Sequence, residues 1–287
     1  MYILKKKPFI LISFLTAVML FLAGCGQTAD PVGSEDEEQN PEEVSELTLE
    51  EVFEKSAAAS EELKSFSVDM NLVQDISLGE ESMETNSDIS MDVTAEPLAF
   101  YQNMTMSLAG ESMETESYFT EDGIFIYDTA SAQWMKFPQE MSDQLLQLSD
   151  QQTNPGAELN NLQEFADDFT FEQDDQNYIL TLDASGDKFN EFIKETAMEN
   201  LPPELAAGAG EDAFEGLNIN SVQYEILVDK ETFYPNVLNM TMDMEMGVEG
   251  DTVNVIQTVN GEYTDFNNIE SITVPQEVLD SAVDMAI

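Results

Sequence analysis

Phe66-Ser67-Val68-Asp69-Met70-Asn71-Leu72 alternates apolar and polar side chains one for one, and Asp75-Ile76 keeps the beat. Successive strand side chains point to opposite faces, so a period of two writes a strand with one oily and one wet face. Downstream, a turn near Gly79-Glu80 leads to Ile89, Met91 and Val93 set against Ser90, Asp92 and Thr94. Leu98, Phe100, Met104, Met106 and Leu108 repeat the pattern, and a turn at Gly110 leads back through Met113 to Phe119. Glu-Ser-Met-Glu-Thr occurs at both 81–85 and 111–115, each time just after a glycine turn, as repeated hairpin geometry. Asp122-Gly123 and the 128–132 loop carry the meander on through 124–127 and 134–137.

Upstream the period is 3.6. Thr48-Leu49-Glu50-Glu51 has the capping-box pattern, in which hydroxyl and carboxylate each satisfy an orphan N–H. Leu49, Val52, Phe53, Ala57, Ser60 and Leu63 then recur at helical spacing, predicting a helix over 48–64. Further on, helical stretches are expected at 139–149, 158–166 and 187–199, with a hairpin from Phe169 to Leu182 between the last two. The Pro/Ala/Gly-rich 201–216 segment reads as a loop. Three long strands at 218–229, 234–247 and 252–265 and a short helix after Pro275 close the chain.

The expected fold class is α+β: a strongly curved antiparallel sheet of about eleven strands, a half-barrel wrapped around amphipathic helices. Several strands approach twelve residues, long against the usual five or six. One wet face and one oily face require cover on the oily side, and the helices are the cover available in the sequence.

Residues 1–24 and Cys25, the one cysteine, set the location. Lys5 to Lys7 precede an apolar run from Phe9 to Leu22, which is shorter than the ~20 residues of a membrane span. Leu22-Ala23-Gly24-Cys25 resembles the bacterial lipoprotein lipobox. That resemblance implies cleavage before Cys25, diacylation of its thiol and tethering to the outer face of the cell membrane. Two or more chains, at ~0.8 kcal/mol per buried methylene, make such an anchor stable. Residues 25–47, with Pro31, Pro41 and Glu35-Asp36-Glu37-Glu38, read as a disordered acidic spacer that holds the 48–287 domain away from the surface.

Composition excludes several kinds of chemistry. The chain has 59 acidic residues, 9 lysines, no arginine and no histidine, for a net charge of −50. Histidine-based catalysis and His-ligated zinc are therefore out. Nucleic acid is excluded as a partner by repulsion. Hydrophobic content of 42% with 17 Phe argues for a folded core despite the charge. Acids spread over a folded surface repel one another, so the melting temperature is expected to rise with added salt. A value flat from low to molar sodium chloride would contradict this. The lone thiol leaves no intramolecular disulfide.

Met240-Thr241-Met242-Asp243-Met244-Glu245-Met246 places four methionines on one strand face, and Met104 and Met106 are expected to join it. The strand has three readings: a thioether site for Cu(I), an adaptable wall for a hydrophobic ligand, or a plain core strand. Leu49 and Phe53 of the 48–64 helix would line such a wall from above. Ser185-Gly186-Asp187-Lys188 has the Ser-x-x-Lys spacing of penicillin-recognising enzymes, but no Lys-Thr-Gly or Ser-Asp-Asn triplet accompanies it. Ser185 and Asp187 fit helix N-caps. Asp167-Asp168 and Asp174-Asp175 lack calcium-loop spacing, and Asp174 to Asn177 suits a hairpin tip. No residue set singles out catalysis, a metal or a cofactor.

Cys25, the acidic spacer, the Thr48 helix, the glycine-turn meander and the closing Ile272-Thr273-Val274-Pro275 together resemble a family of uncharacterised Firmicute cell-surface lipoproteins. Its layout is similar to the LolA/LolB carriers, the mycobacterial LppX/LprG lipid carriers and the clostridial germination lipoprotein GerS. The resemblance implies an open half-barrel whose apolar hollow holds acyl chains. This chain has no arginine of the kind with which LolA-type proteins fasten a lid. The expected function is thus a non-enzymatic, membrane-anchored module binding a lipid or acyl chain. An envelope interaction or regulatory protein with a filled core, contacting a protein partner, is the alternative.

Overall fold

The computed structural model describes residues 29–31, 47–79, 81–108, 110–129, 131–139, 162–186, 189–192, 216–248 and 251–285, with positions 142, 156, 159 and 194. Among them thirteen strands form one open sheet in the order β1-β8-β9-β10-β11-β12-β2-β3-β4-β5-β6-β7-β13. The strands are β1 (Asp30–Pro31), β2 (Ser65–Leu78), β3 (Glu81–Ala95), β4 (Leu98–Leu108), β5 (Glu111–Thr120), β6 (Gly123–Asp128) and β7 (Gln133–Lys136). They continue with β8 (Phe169–Gln173), β9 (Asn177–Ala184), β10 (Leu217–Asp229), β11 (Pro235–Val248), β12 (Asp251–Thr264) and β13 (Val283–Asp284). Among the described residues the helices with both ends placed are α1 (Leu49–Glu61), α2 (Gln276–Ser281) and a 3-10 helix, Leu162–Asp168, and residues 189–192 are also helical.

The eleven expected strands are β2 to β12. The two additions are two-residue edge strands that pair in parallel, β1 with β8 and β13 with β7. With few helices among the described residues, the chain is mostly β rather than evenly α+β. The expected helices at 139–149 and 187–199 fall largely outside those residues, and 158–166 contributes the 3-10 helix.

Thr48 caps α1 as its sequence requires: its N–H donates to Glu51 Oε2 at 2.8 Å, and Glu51 N–H donates to Thr48 Oγ1 at 3.3 Å. Leu49, Val52 and Phe53 go down onto β8–β11, where they join Phe169, Phe171, Leu180, Leu182, Val222 and Ile226 in one buried cluster. Phe53 meets the edge of Phe169 at a centroid distance of 5.6 Å. Burying a side chain of this size stabilises the fold by roughly 1.5–3 kcal/mol. The helix ends beyond Glu61, and Lys64 N–H is taken by Asn267 Oδ1 at 2.8 Å as the chain turns into β2.

A second cluster, Leu63, Phe66, Val68, Val93 and Phe100, lies where β2 begins and β3 ends. The third lies on the opposite face. Phe125 pairs with Tyr118, which pairs with Tyr101 and so with Asp92 and Ser67. There Phe125 is buried against Val274 and Val278 of the α2 region. The expectation that helices cover only the oily side is corrected at this point: α2 roofs the other face over β6 and β7, because Phe125 interrupts its polar pattern.

Candidate functional site

Register fixes which side chains share the apolar face. Met240 lies opposite Val259, Val259 opposite Leu72, Leu72 opposite Ser87, Ser87 opposite Met106 and Met106 opposite Met113. One step toward the starts of β2 and β4, Leu238, Gly261, Met70, Ile89 and Met104 form the next row. Met104 and Met106 therefore join the four methionines of β11 on one face.

Their surroundings differ. Met242 is buried in the cluster that holds Leu49 and Phe53, and Met240 and Met244 pack partly buried against it. Met104 and Met106 are half-buried. Toward the hairpins that join β2 to β3, β4 to β5 and β11 to β12, the same face opens. There Leu78 is 43%, Met83 46%, Leu108 37%, Met113 56% and Met246 42% exposed. Met83 and Met113 are the methionines of the Glu-Ser-Met-Glu-Thr repeat, so that repeat places one exposed thioether at the edge of each hairpin.

This open half is mixed in character. Gln74 Nε2 donates to Gln257 Oε1 at 2.9 Å, and the pair sits in the row between Met242 and Thr85. In the covered half, Ser56 on the inner stripe of α1 is fully buried, and its Oγ has no hydrogen-bond partner among the described residues. Neither Gln257 nor Ser56 stood out in the sequence. A serine at helical spacing reads as a small filler, and a glutamine within a strand reads as surface.

The polar face carries two adjoining grooves of about 750 and 340 Å³ that share Asn239 and Asn260. In the larger, Asn71 Nδ2 donates to Asn86 Oδ1 and to Asp88 Oδ1, both at 2.8 Å. Tyr101 and Tyr118 donate to the same Glu116 Oε1, at 3.1 and 3.4 Å. Burial first, and then the Glu116 charge, pushes the Tyr118 phenol up to about 12. Tyr101 is raised by burial and by its bond to Glu116. No group of three or more carboxylates, Cys or His that could hold a metal occurs among the described residues.

Cys25, Asp187, Lys188 and most of the 201–216 loop lie outside the described residues. Asp174 does form the expected tip of the β8–β9 hairpin. Its Oδ1 accepts from the N–H of Gln176 at 2.8 Å and of Asn177 at 2.6 Å. Partial burial raises this carboxyl, but the two N–H bonds outweigh it and hold the group below its usual value.

Residues 48–283, from the α1 cap to β13, match one protein family over most of the chain. The chain belongs to DUF6612, a family of unknown function. No curated protein matches the sequence. Among solved structures the family member is similar to LprF from Mycobacterium bovis, at 12% identity and a TM-score of 0.35, covering 78% of this chain and 94% of that one. It is also similar to a structure titled for lipid–protein interactions in lipovitellin, at 6% identity and a TM-score of 0.32, covering 74% of this chain and 26% of the other. A putative outer membrane lipoprotein-sorting protein domain from Vibrio parahaemolyticus follows at 9% identity and a TM-score of 0.19, covering 80% and 95%. Likenesses this distant say nothing about a ligand. No helix among the described residues is long and apolar enough to cross a membrane.

Proposed function

We propose that this protein is a membrane-anchored extracytoplasmic lipoprotein, without enzymatic activity, that binds a lipid or acyl chain on the open half of its apolar face. One observation carries the reading: five large apolar side chains, 37–56% exposed, lie toward one end of the face whose other half is buried core. Contiguous exposed apolar surface on a folded protein marks a binding surface, and thioether side chains adapt to irregular guests. Ser56 Oγ, buried under α1 with no hydrogen-bond partner among the described residues, is a polar group that a ligand's head would satisfy only by reaching under that helix. A buried hydroxyl left unpaired costs about 1–3 kcal/mol, which a bound carboxyl or hydroxyl would offset. Anchoring through acyl chains on Cys25 follows from the Leu22-Ala23-Gly24-Cys25 pattern behind its basic, apolar leader.

The test is native mass spectrometry of the purified protein, with titration of a fluorescent fatty acid. Co-purified lipid and saturable uptake are expected. A protein that comes away empty and takes up no probe overturns the reading.

A second reading draws on the other half of the sheet. Leu49, Val52, Phe53 and Met242 pack at 9% exposure or less, a filled core of the kind an interaction or regulatory protein would have. Recovery of one specific envelope protein on a Cys25-anchored bait, with no lipid uptake, would favour that reading.

A further inference from the structure

We propose that the open, methionine-edged end of the sheet faces the bilayer and touches it, held there by a tether far shorter than the acidic segment suggests. This orientation rests on the anchored, lipid-binding reading above. The observation behind it is β1. Asp30 pairs with Glu172 and Pro31 with Gln173, in parallel, on the edge strand β8. Ala29 is 2% exposed, and its carbonyl accepts from Gln173 Nε2 at 3.1 Å. The domain is therefore gripped before Glu35-Asp36-Glu37-Glu38 begins, and that run connects β1 to α1 instead of spacing the domain from the membrane. Five residue steps separate Cys25 from Asp30, a reach of at most about 18 Å when fully extended.

Direction follows from strand polarity. Because β1 is parallel to β8, the chain arrives at Asp30 from the end of the sheet at which β8 begins. Strands β8 to β11 are successively antiparallel, so β11 ends at that same end. Glu172 is level with Ile179, Leu227 and Val237 across the sheet, and Met246 lies nine residues further along β11. At 3.3 Å per residue this is about 30 Å measured along β11 itself. The three strand-to-strand steps from β8 to β11 turn the strands by roughly 60–75°, so roughly 8–15 Å of that length points back along β8, toward the side from which the tether arrives and within its reach. A domain held this closely brings Met246 and its neighbours to the headgroups. Leu78, Met83, Leu108, Met113 and Met246 then stand at the headgroups, beside Glu81 and Glu111 of the same rows.

The experiment uses the full lipidated chain in phosphatidylcholine vesicles containing brominated phosphatidylcholine. Trp134, the sole tryptophan, is replaced (Trp134→Phe), and a new reporter is placed by Met246→Trp or by Glu231→Trp in the turn at the other end of the same strands. Several-fold stronger quenching of the Met246→Trp protein is expected. Inserting a long Gly/Ser segment after Gly26 should abolish the difference. Equal quenching at both positions, or stronger quenching at 231, overturns the orientation, as does a contrast that survives the insert. Mass measurement of the Cys25 peptide and fatty-acid uptake by the protein with Met246 intact separate the causes. An acylated protein that takes up probe but shows no contrast refutes only the orientation, whereas an unacylated Cys25 or absent uptake refutes the reading beneath it.

Discussion

The two halves of this sheet share one face and one alternating pattern, yet one half is a finished core and the other is left open. On β8–β10 the inward residues are Phe169, Phe171, Leu180, Leu182, Ile219, Val222 and Ile226, aliphatic or aromatic and buried beneath Leu49, Val52 and Phe53. Across β12 and β2–β5 the equivalent rows hold methionines mixed with Gln257, Gln74, Thr85 and Ser87, and exposure grows toward the hairpins. Rigid, branched and aromatic groups interlock with a helix and specify one packing. Thioethers and short polar groups specify none, which suits a surface whose partner comes and goes.

The strongest way to break this contrast is Phe53→Ala. If the filled half is core, the change should cost about 3–5 kcal/mol in denaturant unfolding. A cost below 1 kcal/mol would mean that this half, too, is slack. Ser56→Ala tests the covered half from within α1. Removing an unpaired buried hydroxyl should stabilise the protein by about 1 kcal/mol while weakening fatty-acid binding. Stabilisation with unchanged binding would leave the hydroxyl without a ligand. On the open half, Met83→Gln combined with Met113→Gln should shift stability by no more than about 0.5 kcal/mol each, because both side chains are exposed. The same pair should markedly reduce uptake; intact uptake would move the site away from the hairpins.

The polar face offers a pH test of a different kind. Tyr118 titrates near 10 in the unfolded chain and at about 12 when folded, since burial and then Glu116 disfavour the phenolate. From pH 10 to 12 the unfolded state loses this proton while the native state keeps it, so stability falls as pH rises through that window. Tyr118→Phe should flatten the fall in melting temperature, leaving a remnant from Tyr101, which is raised in the same direction. An unchanged alkaline slope would place the cause elsewhere.

Much of the fold was legible because its signals are local. The Thr48-to-Glu51 box, the change from helical to strand period at Phe66, the glycine turns and the Asp174 tip each act over a few residues. The face shared by Met240, Met242, Met244 and Met246 follows from alternation alone. Gln173 was not legible, because its partner carbonyl lies 144 residues away in sequence. Nor was the division of the methionines, with Met242 packed into the core and Met246 left open, since it depends on which part of the sheet α1 packs against. Phe125 likewise reads as one more strand residue until Val274 and Val278 come to rest on it.

By itself the sequence determined the strands, their turns, the acidic charge without histidine or arginine, and the export pattern ending at Cys25. All of these are properties of neighbouring residues or of composition. Tertiary structure alone decided which end of the apolar face stays uncovered and where the N-terminal segment is tied to β8. Both depend on the pairing and register of strands distant in sequence, which no run of neighbouring residues records.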